Sequence, residues 1–79
     1  MCREIFRKRI KELRLEKKLS QSKMADLLNI TLRSYQYYES NQKKTAMPSY
    51  DALIKLSNLF NVSIDFLLGC TDNPIRNLS

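Results

Sequence analysis

The sequence predicts an all-α fold, and three observations carry that prediction. Glycine occurs once and proline twice in 79 residues. That is too few for the tight turns a β-sandwich or barrel of this length requires. Apolar residues recur at the 3.6-residue spacing of helices rather than the alternation of strands. One helix-start device also appears repeatedly: an apolar residue, a Ser or Thr cap, and a second apolar residue four positions after the cap.

The first helix is expected over residues 3–18. Phe6, Ile10 and Leu13 form its apolar stripe, while Glu4, Lys8, Lys11, Glu12 and Glu16 keep the other side charged. Leu15 falls off the stripe and is assigned to shielding the next junction. The second helix, 21–28, opens with Leu19, a Ser20 cap and Met24; the third, 32–39, opens with Ile30, a Thr31 cap and Tyr35. The fourth, 50–60, begins at Pro48-Ser49, with Asp51 in the first turn where a negative charge suits the helix dipole. Leu53, Leu56 and Phe60 give it an apolar face. The fifth, 64–68, repeats the device with Val62, Ser63 and Leu67, and Gly69 ends it in a left-handed conformation. Residues 41–47 read as the one substantial loop.

Length and composition bound the function. A chain of this size holds one core, assigned to residues 1–70, followed by a short, loose tail over 71–79. Two cysteines, Cys2 and Cys70, and no histidine argue against a disulfide framework and against a structural zinc site. No metal, cofactor or small-molecule ligand is expected. No apolar run approaches the ~20 residues of a membrane span, and no signal peptide pattern is visible. The expectation is a cytoplasmic protein with reduced thiols.

The net charge of +6 is unevenly placed. Eight basic and three acidic residues in 1–18 give +5, four and two in 19–48 give +2, and two and three in 49–79 give −1. A basic face attracts polyanions, meaning nucleic acid or an anionic membrane surface; the bland alternative is a well-solvated helix. The second and third helices are separated by only Asn29-Ile30-Thr31. Helix, short turn, helix is the arrangement that places one helix in a DNA major groove while the other crosses the backbone. It asks for a small residue at the helix crossing, which Ala25 supplies. It also asks for a turn residue tolerant of positive φ, which Asn29 supplies. Met24, Leu28, Ile30, Tyr35 and Tyr38 fall at the offsets of an apolar inner face.

Residues 9–69 resemble the helix-turn-helix domain of phage repressor and Cro-type (XRE) transcriptional regulators, a compact five-helix, lambda-repressor-like fold. The matching stretches are RIKELRLEKKLSQSKMADLL, SYQYYE and PSYDALIKLSNLFNVSIDFLLG. The resemblance implies binding of double-stranded DNA through the third helix, most commonly as a repressor homodimer on an inverted repeat. Within it, Gln21 matches the glutamine that bonds a backbone phosphate and braces the recognition helix. Thr31 caps that helix, and Leu32, Arg33, Ser34, Gln36 and Tyr37 point into the groove. Arg33 is the first candidate for base readout, as a fork to guanine, with a phosphate grip as the alternative. Gln36 pairs with adenine or reaches a phosphate. Leu32 touches a thymine methyl or packs sideways. Tyr37 meets a base edge or a phosphate, or is only a surface aromatic. Lys43 and Lys44 are candidate phosphate contacts, which set affinity more than sequence preference. Arg14 and Glu39 match a family ion pair linking the first helix to the end of the third.

The chain departs from the family pattern twice. The segment from Glu39 to Pro48 is about three residues longer than usual and lacks the customary glycine, which puts the lysine contacts in question. Tyr35 stands where Ile or Val is usual, so its hydroxyl needs a partner. Leu59, Phe66, Leu68 and Ile75 are candidate dimer contacts. The competing readings are a protein-interaction module on the same fold, antitoxin or antirepressor-like, and a membrane-surface helix at 3–18. The second lacks Trp and spends its apolar stripe on the core. An enzyme is the least supported, because no catalytic motif is present.

Overall fold

The computed structural model describes residues 3–40 and 48–75. Every regular element among them is a helix: α1 Arg3–Glu16, α2 Gln21–Leu28, α3 Leu32–Glu39, α4 Tyr50–Phe60 and α5 Ile64–Leu67. The expected helix starts are all present. Ser20, Thr31, Ser49 and Ser63 accept from the backbone N–H groups of Lys23, Ser34, Ala52 and Phe66 at 3.0, 3.1, 3.2 and 3.0 Å. Each satisfies a donor that the first turn leaves open.

Three helix ends, those of α1, α2 and α4, follow one rule. Lys18, Asn29 and Asn61 are left-handed, with φ of 57, 58 and 54°. The next residue's N–H then reaches back five positions: Leu19 to Arg14 O, Ile30 to Ala25 O and Val62 to Ser57 O, at 3.1, 3.0 and 3.1 Å. This closure turns the apolar residue inward. Lys18-Leu19-Ser20, Asn29-Ile30-Thr31 and Asn61-Val62-Ser63 are therefore three copies of one connector: a left-handed residue, an inward apolar residue and a cap. The first helix stops at Glu16, two residues earlier than the sequence suggests, because Lys18 takes the left-handed position that lysine does not advertise.

The core gathers Phe6 and Ile10 from α1, Met24, Ala25 and Leu28 from α2, Tyr35 from α3, Leu56 and Phe60 from α4, then Val62 and Leu67. Leu19 and Ile30 pack against it. The ten buried side chains form one core across all five helices' packing faces. Tyr38 is half-buried, its ring edge-on to both Phe6 and Tyr35 at 6.5 and 6.1 Å between centroids. Leu15 is 56% exposed. Gly69 is left-handed at φ 80°, as the sequence suggests. A Cβ there would lie 3.0 Å from the Ile5 side chain, so the lack of a side chain also lets α1 approach.

The tail differs from expectation. Its described part, to Ile75, is tied to the helices rather than loose. Arg9 of α1 donates to the carbonyls of Phe66 and Thr71, the latter at 2.7 Å, and pairs with Asp72 at 2.6 Å. Its guanidinium carbon lies 4.1 Å from the Phe66 ring centroid, a cation–π contact. Ser63 N–H donates to Pro74 O at 3.1 Å. Among the described residues, no helix is long and apolar enough to cross a membrane, and no group of three His, Cys, Asp or Glu is placed to hold a metal.

Candidate nucleic-acid interface

α2 and α3 form the most extensive helix pair in the molecule. Ala25 and Leu28 of α2 and Tyr35 of α3 are buried, with Ile30 in the turn packing on the same core. Burying that inner face leaves a single outward stripe on α3. Leu32, Arg33, Gln36 and Tyr37 are exposed, while Ser34, Tyr38 and Glu39 are partly covered. The spacing i, i+1, i+4, i+5 makes one continuous strip along the helix. Four of the sequence-predicted contact residues thus share one open surface.

Thr31 and Ser34 sit at the N-terminus of that strip in a closed pair. The Thr31 hydroxyl accepts from Ser34 N–H and donates to the Ser34 hydroxyl at 3.0 Å. Lys43 and Lys44 lie outside the described residues, as do the other residues of 41–47.

Behind the strip, the Glu39 carboxylate joins three helices. Arg14 of α1 grips it with two parallel bonds, Nε to Oε2 at 2.8 Å and Nη2 to Oε1 at 3.1 Å. The Gln21 side-chain amide of α2 donates to Oε1 at 3.2 Å, and the Tyr35 hydroxyl of α3 donates to Oε2. Arg14 also donates to Leu19 O at 2.9 Å, inside the connector between α1 and α2. Gln36 donates weakly to the Gln21 amide oxygen at 3.5 Å, which extends the chain of bonds to the outward strip. The Tyr35 hydroxyl, the departure from the family pattern, therefore has its partner in Glu39.

The electrostatics of this cluster follow from burial. Burial alone pushes the Glu39 carboxyl up; the bonds from Arg14, Tyr35 and Gln21 outweigh it and hold the pKa below its ordinary value of 4.5. Burial, and then the bond to Glu39, push the Tyr35 phenol far above its ordinary range. Hydrogen bonding to Glu39 raises Arg14 against its own burial. At neutral pH the cluster is a charged pair with a neutral tyrosine, and its buried side-chain polar atoms all have partners.

An open groove runs beside the strip. It is lined by Ser20, Gln21 and Ser22 at the start of α2, by Lys11 and Arg14 of α1, and by Leu32, Gln36 and Glu39 of α3. A helix N-terminus facing a lysine is suited to a phosphate group. Lys11 was not among the residues the sequence singles out. Its position one turn before Arg14 was the only available signal. The Tyr35–Glu39 and Arg33–Tyr37 contacts were also missed, although both pairs stand at i, i+4.

The helix-turn-helix family model matches residues 10–67. Over 70 residues the chain is 37% identical to YobD, an uncharacterized HTH-type transcriptional regulator of Bacillus subtilis (strain 168), covering 89% of this chain and 60% of that protein. It is 44% identical over 62 residues to the HTH-type transcriptional regulator ImmR of the same organism, covering 78% and 46% of the two chains. It is also 38% identical over 50 residues to the cryptic phage CTXphi transcriptional repressor RstR of Vibrio cholerae, covering 63% and 42%. The chain thus spans about half the length of these relatives. No solved structure gives a significant match. Three helix connectors of one design, a small residue at the α2–α3 crossing and the family match over residues 10–67 agree: the chain belongs to the helix-turn-helix family of phage repressor and Cro-type (XRE) transcriptional regulators.

Proposed function

We propose that this chain is the sequence-specific DNA-binding module of a cytoplasmic transcriptional regulator, acting as a repressor on an inverted-repeat operator. The observation that carries this reading is the exposed strip of α3. Its Leu32, Arg33, Gln36 and Tyr37 face outward while the opposite face is buried and the helix end is fixed through Glu39. α3 enters the major groove, and Arg33 presents donors to the acceptors of guanine. Gln36 reads a neighbouring base edge, and Leu32 lies against a thymine methyl. Thr31 and Ser34 hold the helix N-terminus against the backbone. Gln21, Lys11 and the α2 N-terminus receive a phosphate in the groove beside it, and Lys43 and Lys44 add further phosphate contacts.

A homodimer matches the two halves of an inverted repeat. Of the candidate contacts for it, Leu59, Phe66 and Leu68 pack on the core, whereas Ile75 is 73% exposed. Ile75 borders an apolar groove with Leu15, Phe60 and Val62, on residues outside the helix-turn-helix pair. That groove is the surface offered to a second copy.

A salt titration with fluorescent duplexes tests the proposal. Five or six neutralised phosphates give a log–log slope of about −5. Arg33→Ala relaxes preference at one base pair at a cost of about 1–3 kcal/mol, and Lys11→Ala weakens all sequences alike. Binding without salt dependence, or with equal affinity for every duplex, would contradict the proposal.

A further inference from the structure

Arg33 and Tyr37 are neighbours one turn apart on the outward strip of α3, and the arginine is not splayed into solvent. Its Nε donates to the Tyr37 hydroxyl at 3.1 Å, and its guanidinium carbon lies 5.8 Å from the Tyr37 ring centroid. An arginine offers five N–H donors in a rigid plane. Tyr37 occupies the one on Nε and leaves the four on Nη1 and Nη2, none of which bonds to another described residue. Those two nitrogens are the end of the fork that meets the O6 and N7 acceptors of guanine. Fixing Nε sets both the direction and the plane of that fork before DNA arrives. A long, flexible side chain otherwise loses its freedom on binding, and orienting it beforehand removes part of that loss.

We infer that Tyr37 is a positioning residue for base readout: its hydroxyl orients the Arg33 guanidinium so that Nη1 and Nη2 face the base edge, and Tyr37 itself contributes no independent DNA contact. The inference rests on the reading of Arg33 as the base-contacting residue. It assigns the tyrosine hydroxyl to the arginine rather than to a phosphate, and it ties sequence preference at one base pair to a residue that does not touch that pair. The half-buried Tyr38 next to it faces Phe6 and Tyr35 instead, so the role belongs to Tyr37 alone of the two.

The test is a double-mutant cycle of wild type, Arg33→Ala, Tyr37→Phe and the double variant. Each is measured against the preferred duplex and duplexes substituted at every position of a half-site. Tyr37→Phe keeps the ring and removes the hydroxyl, and an unchanged melting temperature verifies the fold. The expected result is a roughly three- to tenfold loss of preference at the base pair that Arg33→Ala affects, the range set by one hydrogen bond. No other position changes, the salt slope is unaltered, and Tyr37→Phe has no further effect in the Arg33→Ala background. A uniform loss on all duplexes that persists in the Arg33→Ala background would place the hydroxyl on the DNA backbone and overturn the inference, leaving Arg33 as reader. An Arg33→Ala variant with every base preference intact would remove the premise itself.

Discussion

Two of the four arginines of α1, Arg14 and Arg9, have opposite assignments, and comparing them separates the contact that fixes α3 from the one that ties residues 66–72 to α1. Arg14 binds a carboxylate that is almost wholly covered; the side chains are 10% and 4% exposed. Its partner Glu39 closes α3 and is shared with Gln21 and Tyr35. Arg9 binds two backbone carbonyls and Asp72, whose side chain is fully exposed. The first clamp is a network whose charged side chains are largely covered and have little water to fall back on. The second can open, because the groups it releases are rehydrated as they leave. Similar bond lengths therefore carry different consequences, and burial decides which.

Breaking the buried clamp gives the largest effect. Arg14→Met leaves Glu39 covered and without its counter-charge, and lowers stability by about 3 kcal/mol at pH 7 in urea unfolding. The difference depends on pH. The Glu39 pKa is depressed, so its contribution is complete above its unfolded value of 4.5 and is lost as pH falls through the lower folded value. The gap between wild type and Arg14→Met therefore narrows in acid. Tyr35 has the opposite sign. Its pKa is raised, so its contribution is complete below 10.0 and declines as pH rises beyond that. A gap that stays constant from pH 7 to pH 3 would contradict the assignment of the network to ionised Glu39.

The clamp on the exposed Asp72 comes next. Arg9→Met lowers stability by about 1 kcal/mol, because the freed carbonyls find water. The Ser63 amide, which donates to Pro74 O, then exchanges with solvent faster, while affinity for DNA is unchanged. A loss of affinity for DNA in Arg9→Met would erase the distinction between the two arginines. The smallest effect is a gain. Lys18 is held left-handed in the connector whose Leu19 carbonyl Arg14 grips. Lys18→Gly relieves that conformation and raises stability by about 0.5–1 kcal/mol, with binding unaltered.

The same contrast explains what was legible in the sequence. Caps and inward apolar residues were readable because each acts within a few residues of itself: Ser20 with Lys23, Thr31 with Ser34, Ser63 with Phe66. Asn29 and Gly69 announce positive φ by residue type. Lys18 does not, and so the first helix was drawn two residues too long. Asn61 carried a readable signal, since Asn61-Val62-Ser63 repeats the pattern of Asn29-Ile30-Thr31. The Arg14–Glu39 pair, 25 residues apart, came from the family resemblance, because no local rule links such positions. The Arg9 clamp spans 57 to 63 residues and had neither kind of signal, which is why the tail was expected to be loose. Which side of α3 faces outward follows from the burial of Tyr35, and the placement of its side chains by one another required coordinates.

Selection of bound duplexes from a random DNA pool, carried out with wild type and with Arg33→Ala, decides whether α3 reads DNA. The wild type is expected to enrich an inverted repeat whose half-sites lie about one helical turn apart. Arg33→Ala is expected to lose preference at one position in each half-site while keeping the rest. Recovery of no common sequence, or of the same sequence with Arg33 removed, would contradict the claim that the exposed strip of α3 reads DNA.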